Sequence, residues 1–224
     1  MINLSKRLSV IANMITDSNI VNDIGCDHAL LDIYLLQSKK VKKVVASDIT
    51  PGALNQAKSN VKKYDVKEID LRLGDGLNTI NDSDKVDTVV LSGLGNIKIN
   101  NILNENKKLL NNINTIIIQS NTMPDMIRSE VIKLGYKIDD ERLVLENNII
   151  YEIIKFTKGF KKYSKKEIYY GPILLKNKNE LFCKKINKEI EKQENILNRL
   201  PKNKRLEKLK IKRFIRKLKK EIKK

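Results

Sequence analysis

Apolar positions along the chain switch repeatedly between two periods. Leu4, Leu8, Ile11, Ala12 and Ile15 recur at helical spacing and predict a short helix over 5–15, with Ser5 able to cap it. Ile20–Asp23 is a short apolar run ending in an acid, which predicts a strand, and Leu30, Leu31, Ile33, Tyr34 and Leu36 predict a helix over 29–36. The alternation then repeats. Strands are expected over 44–48, 69–73, 88–91 and 115–119, and helices after Thr50-Pro51, over 97–110 and over 124–134. Gly135 stops the last of these, and the runs 136–145 and 149–156 face each other across Glu146-Asn147-Asn148 as a β-hairpin.

Strands alternating with helices predict a doubly wound α/β fold, a mostly parallel sheet with helices on both faces and ligands at the carboxyl ends of its strands. An antiparallel hairpin closing five parallel strands resembles the Rossmann-like sheet of class I methyltransferases. From Gly171-Pro172 onward the pattern changes. Residues 177–198 and 203–222 carry narrow apolar stripes in lysine-rich sequence, broken at Pro201, and predict a C-terminal antiparallel helical hairpin. We therefore expect a catalytic domain over 1–160 and a basic helical extension over 161–224.

Charge sharpens that division. The chain carries a net +18, but residues 1–154 hold 19 Lys+Arg against 20 Asp+Glu, whereas 155–224 hold 26 against 7. A block of this kind is the footprint of a polyanion partner. Hydrophobic residues make 41% and charged residues 32% of the chain, and no apolar run reaches the ~18 residues of a membrane span. With Cys26 and Cys183 alone there is no disulfide framework or zinc spacing, and with one histidine, His28, no metal is expected; a cytoplasmic monomer is the expectation.

The candidate chemistry gathers at the strand ends. Asp23, Asp48 and Asp75 each stand at or just after the end of a different predicted strand, so they are expected to converge on one edge of the sheet. Asp48 follows Asp23 near the ~20-residue offset of a ribose-binding acid, with Ile49 beside it. Asp75, followed by Gly76, suits an adenine amine. Gly25 lets backbone approach the ligand, while Asp23 and Asp27 suit a cationic methionine end and Arg7 its carboxylate. Together these residues read as a cradle for S-adenosyl-L-methionine. The competing reading makes each acid a helix cap. A nicotinamide site is disfavoured, since the turn Gly25-Cys26-Asp27-His28-Ala29 lacks G-x-G-x-x-G, and no P-loop occurs. His28 and Cys26 are read first as a capping residue and a small filler, His28 beside the cofactor. Ser92-Gly93-Leu94-Gly95-Asn96 follows the fourth strand, where two glycines let a flat base lie against backbone and Asn96 can face a base edge; Gln119-Ser120-Asn121 closes the next strand.

The chain resembles the bacterial tRNA (adenine-22-N1)-methyltransferases. The likeness rests on Leu4-Ser5-Lys6-Arg7-Leu8, Asp23-Ile24-Gly25-Cys26-Asp27-His28-Ala29, Gly74-Asp75-Gly76-Leu77, Ser92-Gly93-Leu94-Gly95, Gln119-Ser120-Asn121, Tyr151-Glu152 and Gly171-Pro172, which occur in family order over nearly the whole chain. The resemblance implies methyl transfer from S-adenosyl-L-methionine to N1 of an adenine in the D-arm region of tRNA. Read from the residues themselves, Asp27 as a carboxylate or Asn96 as a hydrogen-bond acceptor is expected at the reacting ring, Arg7, Asp23, Gly25, His28, Asp48, Ile49, Asp75, Gly76 and Gly93 on the cofactor, and Gly95, Gln119, Asn121 and Tyr151 on the substrate. Departures are Leu30 and Asp32, where the family has Tyr and Pro, Asn96 in place of the last glycine of G-M-G-G, and Ser120 in place of proline. Another RNA substrate such as rRNA, or a non-catalytic RNA-binding protein on the same fold, are the alternatives.

Overall fold

The structure is a computed structural model that describes residues 1–201 and 203–222. Lys202, Lys223 and Lys224, counted above in the basic extension, lie outside the described residues. The chain forms two compact units, Met1–Ile173 and Leu174–Lys224.

In the first unit, α1 (Lys6–Met14) is capped by the Ser5 hydroxyl, which accepts the Leu8 N–H. Then follow β1 (Ile20–Ile24), α2 (Leu30–Gln37), β2 (Lys43–Asp48), α3 (Pro51–Lys63) and β3 (Ile69–Leu73). After two 3₁₀ turns come β4 (Thr88–Leu94), α4 (Asn96–Glu105), α5 (Lys107–Leu110), β5 (Thr115–Ser120), α6 (Pro124–Lys133), β6 (Tyr136–Glu146), β7 (Ile149–Lys158) and α7 (Lys165–Tyr170). Among the described residues these strands make one sheet of order β3-β2-β1-β4-β5-β7-β6. The pairs among β1 to β5 are parallel, and β7 runs antiparallel to both β5 and β6.

The chain leaves β1 toward β2 and β3, then crosses back to β4 on the other side of β1. The β1/β4 junction is therefore the switch point where open α/β sheets bind ligands. Apolar clusters cover both faces of the sheet. One gathers Val89, Leu91, Ile116 and Ile118 with α4 and α6, the other Val21, Val44, Val90 and Ile117 with α1 and α2. Near-continuous apolar strands are what a parallel sheet buried on both faces requires.

Three expectations change. The fourth strand extends through Ser92, Gly93 and Leu94, expected as loop. Gly93, at φ +78, sits in a bulge where the register with β5 shifts between Ser92 and Leu94. The helix expected over 97–110 is broken at Asn106 into α4 and α5. Residues 161–173, which composition grouped with the basic extension, pack in the first unit. There the Tyr163 hydroxyl accepts the Ile138 N–H at 2.9 Å and the Arg128 Nη1 donates to the Ile168 carbonyl at 3.2 Å. The β6–β7 turn is Asn147-Asn148, both at positive φ (48° and 62°), the conformation of a two-residue type I′ hairpin.

The second unit contains α9 (Glu180–Arg199) and α10 (Arg205–Ile222), entered through α8 (Pro172–Asn177), which spans the boundary. Phe182, Ile186 and Ile190 of α9 and Ile215 and Leu218 of α10 are buried, and Lys219 pairs with Glu194 at 2.8 Å. This is the expected helical hairpin, each helix burying one stripe and exposing lysines and arginines elsewhere.

Candidate active site

At the switch point lies a cavity of about 400 Å³, in the range of small-ligand sites. Its lining comes from the ends of β1, β2, β3 and β4 together with α1, α2 and α4. Arg7, Asp23, Gly25, Asp27, His28, Asp48, Ile49, Asp75, Gly76 and Gly93 all face it. The three strand-end acids that define the cradle thus share one hollow beside Gly25.

Helix capping does not explain them. Asp75 precedes a 3₁₀ turn without a side-chain cap bond. Asp48 does brace a turn: its Oδ1 accepts the Thr50 N–H at 2.8 Å and its Oδ2 the Asp27 N–H at 3.3 Å. Those two bonds tie the loop after β1 to the end of β2, and Gly25 and Cys26 add to the tie by donating to the Ser47 carbonyl at 2.8 and 3.0 Å. The loop needs left-handed backbone at Gly25 (φ +77), and Asp27 and Ala29 adopt it as well (φ 50 and 54).

Asp23 is buried at the cavity floor, and burial pushes its carboxyl up to about 7, against the pull of an Asp32 hydrogen bond and Arg7. Burial, then Asp32, Asp23 and Asp48, push the Cys26 thiol well above the usual range. Cys26 is therefore no nucleophile, in keeping with a small buried filler. His28 Nε2 lies 3.4 Å from Asp27 Oδ1 at the exposed rim, and its carbonyl accepts from Asn60 Nδ2.

Arg7 is held from several sides. Its Nη1 donates to Ser92 Oγ at 2.7 Å and Gln119 Oε1 at 2.6 Å, its backbone N–H donates to Glu146 Oε1, and its guanidinium lies 5.4 Å from the Tyr151 ring centroid. Restraint from four residues fixes a cation at the cavity wall.

The expected substrate residues divide. Gly95 lines a second hollow of about 530 Å³ that shares Asp75 and Lys98 with the first. Gln119 and Tyr151 are not brought to either hollow. Gln119 is fully buried, accepting from Arg7 and the Gly93 N–H and donating to Asn121 Oδ1. Both residues hold Arg7 instead, because β5 and β7 lie side by side next to β4 and turn these side chains toward α1. Asn121 donates to the Gly93 carbonyl at 2.8 Å, buttressing the β4 bulge. Asn96, expected at the reacting ring, is buried; its Oδ1 accepts from Thr122 Oγ1 at 2.9 Å and its Nδ2 faces the Met123 and Met126 sulfurs. As the first residue of α4 it points back against the loop before α6, not into the cavity. Lys98, which lines both hollows, was missed by sequence reasoning. An exposed lysine one turn into a helix carries no pattern that marks it.

The cavity fits S-adenosyl-L-methionine on its donor set. Four carboxyl groups, Asp23, Asp27, Asp48 and Asp75, face Arg7 and Lys98, which suits a ligand with net positive charge, two ribose hydroxyls and one carboxylate. The same acids oppose a pyrophosphate. Among the described residues no cluster of His, Cys, Asp or Glu could hold a metal ion, and no helix is long and apolar enough to cross a membrane.

Comparison with known proteins agrees with this geometry. The chain is 31% identical over 204 residues to the tRNA (adenine(22)-N(1))-methyltransferase of Bacillus subtilis (strain 168), covering 88% of this chain and 85% of that protein. It superposes on a Streptococcus pneumoniae structure, described as a candidate tRNA (m1A22) methyltransferase in complex with S-adenosyl-L-methionine, with TM-score 0.91 and 29% identity over 99% of this chain and all of that one. It also superposes on M. capricolum TrmK in complex with S-adenosyl-homocysteine, with TM-score 0.87 and 33% identity over 98% and 97% of the two chains. The family model of the tRNA (adenine(22)-N(1))-methyltransferases matches residues 21–221, and the chain belongs to that family.

Proposed function

We propose that this chain transfers a methyl group from S-adenosyl-L-methionine to N1 of adenine 22 in tRNA. The observation that carries the reading is the convergence of Asp23, Asp48 and Asp75 on one cavity beside Gly25, in a chain of this family.

Bound in the cavity, S-adenosyl-L-methionine supplies an electrophilic methyl group on a sulfonium. Asp48 accepts from the ribose hydroxyls and Asp75 from the adenine amine, while Ile49, Gly76 and Gly93 pack against the nucleoside. Arg7, held by Ser92, Gln119 and Tyr151, pairs with the carboxylate, and Asp23 faces the cationic end. The acceptor N1 already carries a lone pair, so the chain needs no general base to create a nucleophile. Its work is orientation, which supplies ~7–11 kcal/mol of barrier lowering in good cases. The ring gains positive charge as N1 is methylated. Asp27, exposed at the rim of the cavity, is the carboxylate placed to offset it.

N1 lies on the Watson–Crick edge, so the target adenine must be unpaired or flipped out. The hollow at Gly95, open beside Asp75 and Lys98 and flanked by exposed Ile97, is the entry we assign to it. Asn96 then positions the Thr122–Met126 wall and does not touch the ring. The basic hairpin, with 20 Lys+Arg against 6 Asp+Glu over 174–224, binds tRNA phosphates without reading sequence. A tRNA substrate, with cysteines that are free thiols, supports the cytoplasm as the place of action.

Unmodified tRNA incubated with the full chain and S-adenosyl-L-methionine, then digested to nucleosides for mass spectrometry, tests the reading. We expect 1-methyladenosine to appear only when all components are present. Its absence, or its appearance with rRNA and not tRNA, overturns the proposal.

A further inference from the structure

Asp32 is the residue of this site that neither the motif nor the cavity lining accounts for. It lies in the first turn of α2, is wholly buried, and no donor other than its own backbone amide approaches its carboxyl oxygens. A buried carboxylate in that state is costly unless it is neutralised or paired. The group within hydrogen-bonding reach is the Asp23 carboxyl, itself buried on the cavity floor. Two carboxyls can bond to each other only through a proton, and like charges this close cannot both ionise. The surroundings relieve them only in part. Arg7 on α1 favours the charged form of Asp23, but burial outweighs it, Asp48 on β2 adds further negative charge, and Cys26 stays a neutral thiol. Asp27 and His28 line the same cavity at its exposed rim.

We propose that Asp32 is a positioning residue of the cofactor site: with Asp23 it holds one shared proton in the free protein, and a net cation entering the cavity displaces that proton to solvent. The inference rests on the S-adenosyl-L-methionine reading of the cleft. The balance is simple. The O–H bond between the two carboxyls breaks, buffer takes the proton, and Asp23 is left as a full anion facing the ligand's positive end. Asp32 thereby tunes Asp23, making cofactor affinity depend on pH.

Titration calorimetry of S-adenosyl-L-methionine into the full chain, in buffers of low and high ionisation enthalpy at pH 6.5, reads the proton directly. We expect the wild-type heat to differ between buffers, with a release approaching one proton per ligand and an affinity that rises up to ~10-fold per pH unit over the same range. Asp32→Asn, whose amide donates to Asp23 and leaves it ionised, is expected to lose that release; any proton exchanged by the ligand itself is common to both proteins and cancels. Should the variant fail to fold, difference infrared spectra of the wild type alone decide. The carbonyl stretch of a protonated carboxylic acid is expected in the free protein and lost on binding. Buffer-independent heat with normal binding overturns the role of Asp32, as does an Asp32→Asn protein with undiminished release. No binding in any buffer overturns the cofactor reading itself.

Discussion

Asp48 does two jobs, and its substitution separates them. Its carboxylate holds the Thr50 and Asp27 N–H groups and faces the cavity. Asp48→Asn keeps the shape but loses charge-assisted bonds of ~1.5–3 kcal/mol, which converts to roughly a 10- to 100-fold weaker cofactor Kd in calorimetry; unchanged affinity would remove Asp48 from the site. The buried acids predict a second effect, on stability without ligand. Burial holds a proton on the Asp23–Asp32 pair well above the unfolded carboxyl value of ~3.9. Folding therefore takes up that proton, and stability falls as pH rises from the unfolded value towards the raised value of the pair. The Tm advantage of Asp32→Asn over wild type is expected to be larger at pH 8 than at pH 5; an equal gap at both would refute the shared proton. The strand-end acids were legible because a strand's last residue has a determined position. Gln119, Tyr151 and Asn96 were not. Which way each turns depends on neighbours distant in sequence, Arg7 for the first two and Thr122 for the third, and no local period records that.

At the scale of elements, a buried ion cluster joins α6 to the β6–β7 hairpin. Arg128 is fully buried, donates through Nε to Glu141 Oε1 at 2.6 Å and through Nη2 to Glu152, and reaches the Ile168 carbonyl at the end of α7. Glu141 Oε2 accepts the Ile173 N–H, so the cluster also fixes the segment that leaves the first unit. Arg128→Met leaves two buried carboxylates without their cation and is expected to cost ~3–5 kcal/mol in denaturant unfolding; a loss under 1 kcal/mol would contradict it. Gly171 is tied to the same cluster. Its φ is +88, and a Cβ there would stand 2.6 Å from both Arg128 Nη2 and Glu141 Oε1, which explains a glycine at this turn. The elements themselves were mostly readable, since each strand of a doubly wound sheet is a short apolar run between turn residues. The bulge in β4 and the break at Asn106 were not. A glycine after a strand reads equally as loop or bulge, and the Asn106 break lies inside an unbroken apolar period.

For the whole molecule, charge is the property that divides labour. The cavity is lined by more acids than bases, whereas α10 exposes Lys212, Arg213, Arg216, Lys217, Lys219 and Lys220. Replacing Arg213, Arg216, Lys217 and Lys220 by Gln in the full chain is expected to weaken tRNA binding and to flatten its salt dependence by ~0.7–0.9 per lost phosphate contact, leaving cofactor affinity unchanged. An unaltered salt slope would remove the hairpin from the RNA interface. The central claim concerns one atom of one base, and primer extension reads that atom. Methylation at N1 blocks Watson–Crick pairing, so reverse transcriptase stops when it meets the product. On unmodified tRNA treated with the full chain and S-adenosyl-L-methionine, the account predicts a new stop at adenine 22, absent when that adenine is replaced by guanine. Read-through at position 22, or a stop at another adenine, would contradict it.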